Sequence, residues 1–180
     1  MRWTVYYILA YVALGFQIGL SPYVRYQGAE PNLALLAVIY IAINAPRDAA
    51  LLAAFGIGVL QDLLSAQQPG LYALSYGLVA MFVAGAQHVV YREHPLTHFS
   101  LALVGGLVTM CVLVLHDWLI PPFKAMVDGH AVIAAVRVSP ATLFTGALYT
   151  AVLAPLLIGG LQRVKGLFNF KPQRRRAKPW

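Results

Sequence analysis

Between Trp3 and Leu161 the chain is a succession of apolar runs broken by short polar stretches. This pattern constrains the fold more than any single motif. A soluble domain carries roughly a quarter charged residues. This chain of 180 residues is 60% hydrophobic and 11% charged. It cannot cover a globular surface with polar groups, so lipid must be part of its solvent. Its length accommodates about six spans of roughly 20 residues with short loops and leaves no room for a second folded domain.

The runs predict six membrane helices, over about 3–20, 31–45, 49–65, 71–91, 99–120 and 140–161. Trp3, Tyr6 and Tyr7 suit the headgroup level of the first. That segment reads as an uncleaved span, because no small-x-small cleavage site precedes Ser21-Pro22. A polar linker follows and ends at Pro31, a residue suited to the first turn of a helix. The second run, Leu33 to Asn44, is short, so it is tilted, flanked by snorkelling residues or partly re-entrant. Pro46-Arg47-Asp48 makes a turn. The fifth run holds Gly105-Gly106 and is closed by Pro121-Pro122. The polar loop after it has room for a short interfacial helix at 131–136. The sixth is bent or interrupted around Pro155. Residues 1–166 form the bundle, and 167–180 form a basic tail without fixed structure.

The net charge of +7 sits mostly at the C-terminus, in Arg163, Lys165, Lys171, Arg174, Arg175, Arg176 and Lys178. Such a juxtamembrane tail is a topology signal and a contact for anionic lipid. It has no aromatic platform for nucleic acid. With six spans, ten Lys and Arg residues lie on the side of the termini against Arg25, Lys124 and Arg137 opposite. Both termini are therefore expected in the cytoplasm. Five spans with a re-entrant second segment is the topological alternative. Cys111, the single cysteine, allows no intramolecular disulfide and reads as a small buried apolar residue.

Phe55–Tyr72, FGIGVLQDLLSAQQPGLY, holds the most chemistry. Gly58, Asp62 and Ser65 share one helix face at i, i+4, i+7, with Gln61 at its border. A carboxylate in such a run must find a donor, be protonated or reach water. Asp62 stands about 4.5 Å of helix rise before Ser65, hence near the outer interface. It can latch the hairpin by accepting bonds from Gln67, Gln68 or backbone N–H groups, receive a partner's helix, or carry a proton or cation. Pro69-Gly70 predicts a turn with a left-handed glycine. Ala73, Gly77, Ala80 and Ala84 form a stripe of small residues that lets helix backbones approach. Thr142, Thr145, Gly146 and Tyr149 give the sixth helix a weakly polar packing face. His116, Asp117, Asp128 and His130 match no metal-ligand spacing, and with Trp118 they read as an interfacial belt. His88, His94 and His98 read as a solvated interface. No nucleophile–base arrangement, phosphate loop or paired intramembrane carboxylate appears, so neither catalysis nor a cofactor is expected.

Two stretches carry a resemblance. Pro31-Asn32-Leu33 resembles the Pro-Asp-Leu start of the second span in the rod shape-determining protein MreD family. Gly58–Leu74, GVLQDLLSAQQPGLYAL, resembles that family's Gly-x-Leu-x-Asp-Leu-Leu-Ser-x-x-x-x-Gly-Leu-x-Ala-Leu pattern. Asn32 departs from it where an acid is usual. The resemblance implies a non-enzymatic scaffold of the cell-elongation complex in the bacterial inner membrane. It implies MreC as partner, through MreC's transmembrane helix and the base of its periplasmic domain, with MreB filaments and peptidoglycan synthases reached indirectly. A homodimer stays open. It also implies a six-helix bundle similar to the substrate-binding subunits of energy-coupling-factor vitamin transporters. Pro31, Asn32, Gly58, Asp62, Ser65, Pro69 and Gly70 are the expected partner-binding or latch residues. The rivals are a small-molecule transport subunit and, less favoured, a lipid-modifying enzyme using His116, Asp117 or Asp62.

Overall fold

A computed structural model describes residues 3–26, 28–65, 69–87, 94–128 and 139–163. Its apolar runs are helices: α1 (Trp3–Val24), α2 (Leu33–Asn44), α3 (Arg47–Leu64), α4 (Leu71–Ala86), α5 (Pro95–Asp128) and α6 (Pro140–Arg163). The expected tail, the 131–136 segment, Gln67, Gln68, His88 and His130 lie outside the described residues.

Local chemistry sets the boundaries. Asn32 caps α2, its side-chain oxygen accepting from the Leu35 N–H at 2.9 Å. Pro46 ends α2 by excluding Ala45 from the helical region. Ala45 lies at φ −91°, ψ 160°. Arg47 and Asp48 are not turn residues, as expected, but the first turn of α3, where the carboxylate suits the helix N-terminus. Between α1 and α2, Tyr26 and Ala29 exchange backbone hydrogen bonds of 3.0 and 2.9 Å, and Gly28 turns the chain at φ 83°.

Several helices outrun the sequence expectation. α1 continues through Pro22 to Val24. Pro121-Pro122 do not close α5, whose helical backbone runs from Pro95 to Asp128. α6 is a continuous helix with Pro155 inside it. A proline removes one backbone bond, a loss that neighbouring helices and local adjustment tolerate in apolar surroundings. α5 over Pro95–Leu119 and α6 are long and apolar enough to cross a membrane, whereas Tyr6–Leu20, α2 and α4 form shorter apolar helices.

The centre of the molecule is α2. Every residue from Ala34 to Ile43 is at most 3% exposed. A helix that is apolar all round belongs in the middle of other helices, and α2 packs on α1, α3, α4, α5 and α6. Its shortness therefore reflects enclosure. The 12 residues extend about 18 Å.

Around it the helices sort by size rather than polarity. α3 turns Ala49, Ala50, Ala53, Ala54, Ile57 and Gly58 inward and leaves Leu52, Phe55, Leu60 and Leu63 outside. Small residues inside let helices approach, and large apolar ones outside suit lipid. α5 and α6 pair closely where Gly106 faces Ala147, leaving no space for a Cβ, which would stand 2.7 Å from that alanine's own. Cys111 is exposed on α5, contrary to the buried position expected. An apolar environment outside the bundle accommodates a thiol as readily as the core does.

Candidate functional site

α4 begins with a difficulty. Its N-cap is Gly70, at φ 100°, ψ −14°. Glycine tolerates this left-handed geometry but has no side chain to accept the first N–H groups of the helix. Asp62, on α3, supplies the missing acceptor. Its Oδ2 accepts from the N–H of Gly70 and of Ala73, both at 3.0 Å. Its Oδ1 accepts from the N–H of Tyr72 at 2.9 Å. Asp62 is 5% exposed and sits at the N-terminus of α4, where the first N–H groups of the helix point at it.

This arrangement needs α3 and α4 almost in backbone contact. Gly58 provides that, one turn before Asp62 on the same face. A Cβ on Gly58 would stand 2.4 Å from the Ala73 Cα. Ser65 ends the helix, its N–H donating to Gln61 O at 2.9 Å and its hydroxyl to Asp62 O at 3.3 Å. Pro69 is exposed in the turn. Gly58 and Asp62 thus face α4, and α4 fills the face they share. Of the small stripe on α4, Ala73, Ala80 and Ala84 are buried. Gly77 has open space where a Cβ would stand.

The other quoted stretch, Pro31-Asn32, meets this hairpin through Tyr76. The Tyr76 hydroxyl donates to Asn32 Oδ1 at 2.8 Å. The Asn32 backbone N–H donates to Thr150 Oγ1 at 2.9 Å. Tyr76 is fully buried, with its ring 5.7 Å from that of Tyr72. One junction therefore joins α2, α4 and α6, one turn of α4 beyond the Asp62 bonds.

Sequence reasoning missed four members of this polar framework. Tyr76 was hidden in an apolar run, although it lies four residues after Tyr72 on the same face. Thr150 was passed over beside Tyr149. Gln17 accepts from the Ala34 N–H at 3.0 Å. Gln87 donates to the carbonyls of Ala42 and Ala45 at the other end of α2. The usable signal in each case was a lone polar group within or beside an apolar run.

The histidines divide. His94 is exposed, but His98 is 2% exposed, not on a solvated interface. Its Nε2 lies 3.1 Å from Gln162 Nε2, and the α5–α6 packing encloses it. His116 Nδ1 is 3.5 Å from Asp117 Oδ1, and Trp118 is exposed.

Beyond the N-terminus of α2 the bundle is not filled. A cavity of about 600 Å³ lies among the α1–α2 turn, the α3–α4 hairpin and the facing parts of α5 and α6.

The family model for the rod shape-determining protein MreD matches residues 1–164. No curated protein and no solved structure compared with the chain gives a significant match.

Proposed function

Because this chain belongs to the MreD family of rod shape-determining proteins, we propose that it acts as a non-enzymatic scaffold of the cell-elongation complex in the bacterial inner membrane. In this reading its helices form a six-span bundle, similar to the substrate-binding subunits of energy-coupling-factor transporters. Both termini are cytoplasmic, and the basic tail contacts anionic lipid. Its direct partner is MreC, through which it reaches MreB filaments and the peptidoglycan synthases.

The observation that carries the scaffold reading is the state of Asp62. The carboxylate of the quoted family stretch spends its acceptors on three backbone N–H groups of α4. It serves as a latch, and the role expected of an intramembrane acid is here mechanical. Its face is occupied by α4, so a partner helix must seat elsewhere. An apolar groove of about 470 Å³ between α1 and α6 is floored by Leu33, Leu36 and Ala37 of α2. We place the MreC transmembrane helix there.

Co-purification from a host expressing MreC tests this. The tagged chain should retain MreC. Leu153→Trp, which fills the groove, should release it while the bundle stays monodisperse. A stable, monodisperse chain that never captures MreC would sink the scaffold reading. Capture unaffected by Leu153→Trp would sink the groove alone.

A further inference from the structure

The cavity beyond α2 is a site the scaffold reading does not use. Its volume of about 600 Å³ lies within the roughly 300–1,000 Å³ of small-molecule sites. Gln61 lines it and is 8% exposed. Its side-chain amide makes no hydrogen bond to another described residue, although the same helix spends Asp62, its next residue, on three. The amide lies on the cavity wall, so whatever occupies the cavity supplies its hydrogen bonds.

The charge of the site limits what that is. Three helix N-termini lie beside it, those of α2, α4 and α6, and an uncapped one would attract an anion. The first two are already occupied, α2 by Asn32 and Gln17 and α4 by Asp62, and at the third Pro140 has no N–H and the Leu143 N–H is bound to Ser139 O. The ionic groups lining it, Arg25 and Glu30, are paired with each other. Among the described lining residues the charges therefore sum to zero. The walls alternate polar groups, Gln17, Gln61 and Thr109, with apolar ones, Ile18, Leu64 and Met110. Tyr72 adds an aromatic surface. Such alternation fits a molecule with polar edges and apolar faces.

We propose that this cavity binds an uncharged, saccharide-sized molecule bearing hydroxyl and amide groups, with the Gln61 amide as its central hydrogen-bond partner. The ligand is either a free saccharide or the headgroup of a neutral glycolipid. The site is separate from the α1–α6 groove and does not depend on MreC.

Calorimetry on the full chain in phospholipid nanodiscs tests it. One arm adds free N,N′-diacetylchitobiose. The other uses nanodiscs doped with a neutral glycosyl-diacylglycerol and reads the thermal midpoint. Binding in the first arm assigns a soluble source, and a raised midpoint in the second alone assigns a headgroup. Gln61→Leu should weaken binding about tenfold, the loss of one hydrogen bond. Met110→Trp should abolish it by filling the space, and it serves alone should Gln61→Leu not fold. No response in either arm overturns the proposal, as does tighter binding of glucose 6-phosphate than of the neutral disaccharide. Affinity unchanged in folded variants overturns the assignment to this cavity.

Discussion

A carboxylate that receives three N–H donors on two oxygens is not replaceable by an amide without setting a donor against a donor. An amide oxygen accepts hydrogen bonds too, and on that ground alone Asp62→Asn would be expected to keep them. The geometry overturns this, because the amide nitrogen must face either Tyr72 N–H or the Gly70 and Ala73 pair. Asp62→Asn should therefore cost about 1–3 kcal/mol, the range for an unsatisfied buried group. Asp62→Leu, which loses every acceptor, should cost more and reduce the folded yield. Thermal unfolding in detergent orders the three proteins, and equal midpoints would refute the latch. At Asn32 the reverse holds. Its side-chain oxygen accepts from Leu35 N–H and Tyr76 O–H, and a carboxylate oxygen accepts both as well. Asn32→Asp should leave the midpoint nearly unchanged, while Asn32→Leu should lower stability by about 0.5–2 kcal/mol. The departure from the family's acid is thus neutral for this bond pattern. Gly70 was legible in the Pro69-Gly70 dipeptide. The partners of Asp62 were legible only as a class, because nothing in a one-dimensional pattern tells which donors a returning helix will offer.

At the scale of elements, the α3–α4 hairpin rests on one close approach. Gly58→Ala sets a Cβ at 2.4 Å from the Ala73 backbone and must push the helices apart, lengthening the Asp62 bonds. A loss of about 1–3 kcal/mol is expected from such overpacking. Gly77→Ala is the control. It meets open space and should be neutral or stabilising by up to about 1 kcal/mol through helix propensity. Equal effects at the two positions would show that backbone contact does not hold the hairpin. In the sequence Gly58 shares a face with Asp62 and Ser65, and Gly77 lies on a stripe of small residues. Helical spacing identifies a face but not the neighbour that meets it, and only the tertiary arrangement separates Gly58 from Gly77. Proline misled for a related reason. Pro46 ends a helix because Ala45 before it is free to extend, whereas the helical backbone of α6 continues past Pro155.

At the scale of the whole molecule, the all-helical fold followed from composition and from the lengths of the apolar runs. The central position of α2 did not. Its brevity suggested tilt or re-entry, and only its lack of any charged residue hinted at enclosure. The proposed topology has its own check. A reporter fused after Trp180 should be active in its cytoplasmic form, and in a Cys111→Ser background a cysteine introduced at exposed Tyr26 should react with an impermeant reagent from outside. The reverse pattern would invert the bundle. The burial of α2 also has a consequence for synthesis. The bonds that close it run from Asn32 to Thr150 and from Tyr40 to Leu161, residues 118 and 121 positions further along the chain. A helix made second is thus enclosed only when the sixth has left the ribosome. For most of translation its flank must be covered by lipid or by the insertion machinery, and a chain cut short before α6 would expose its innermost surface. The centre of this protein is the last part of it to be finished.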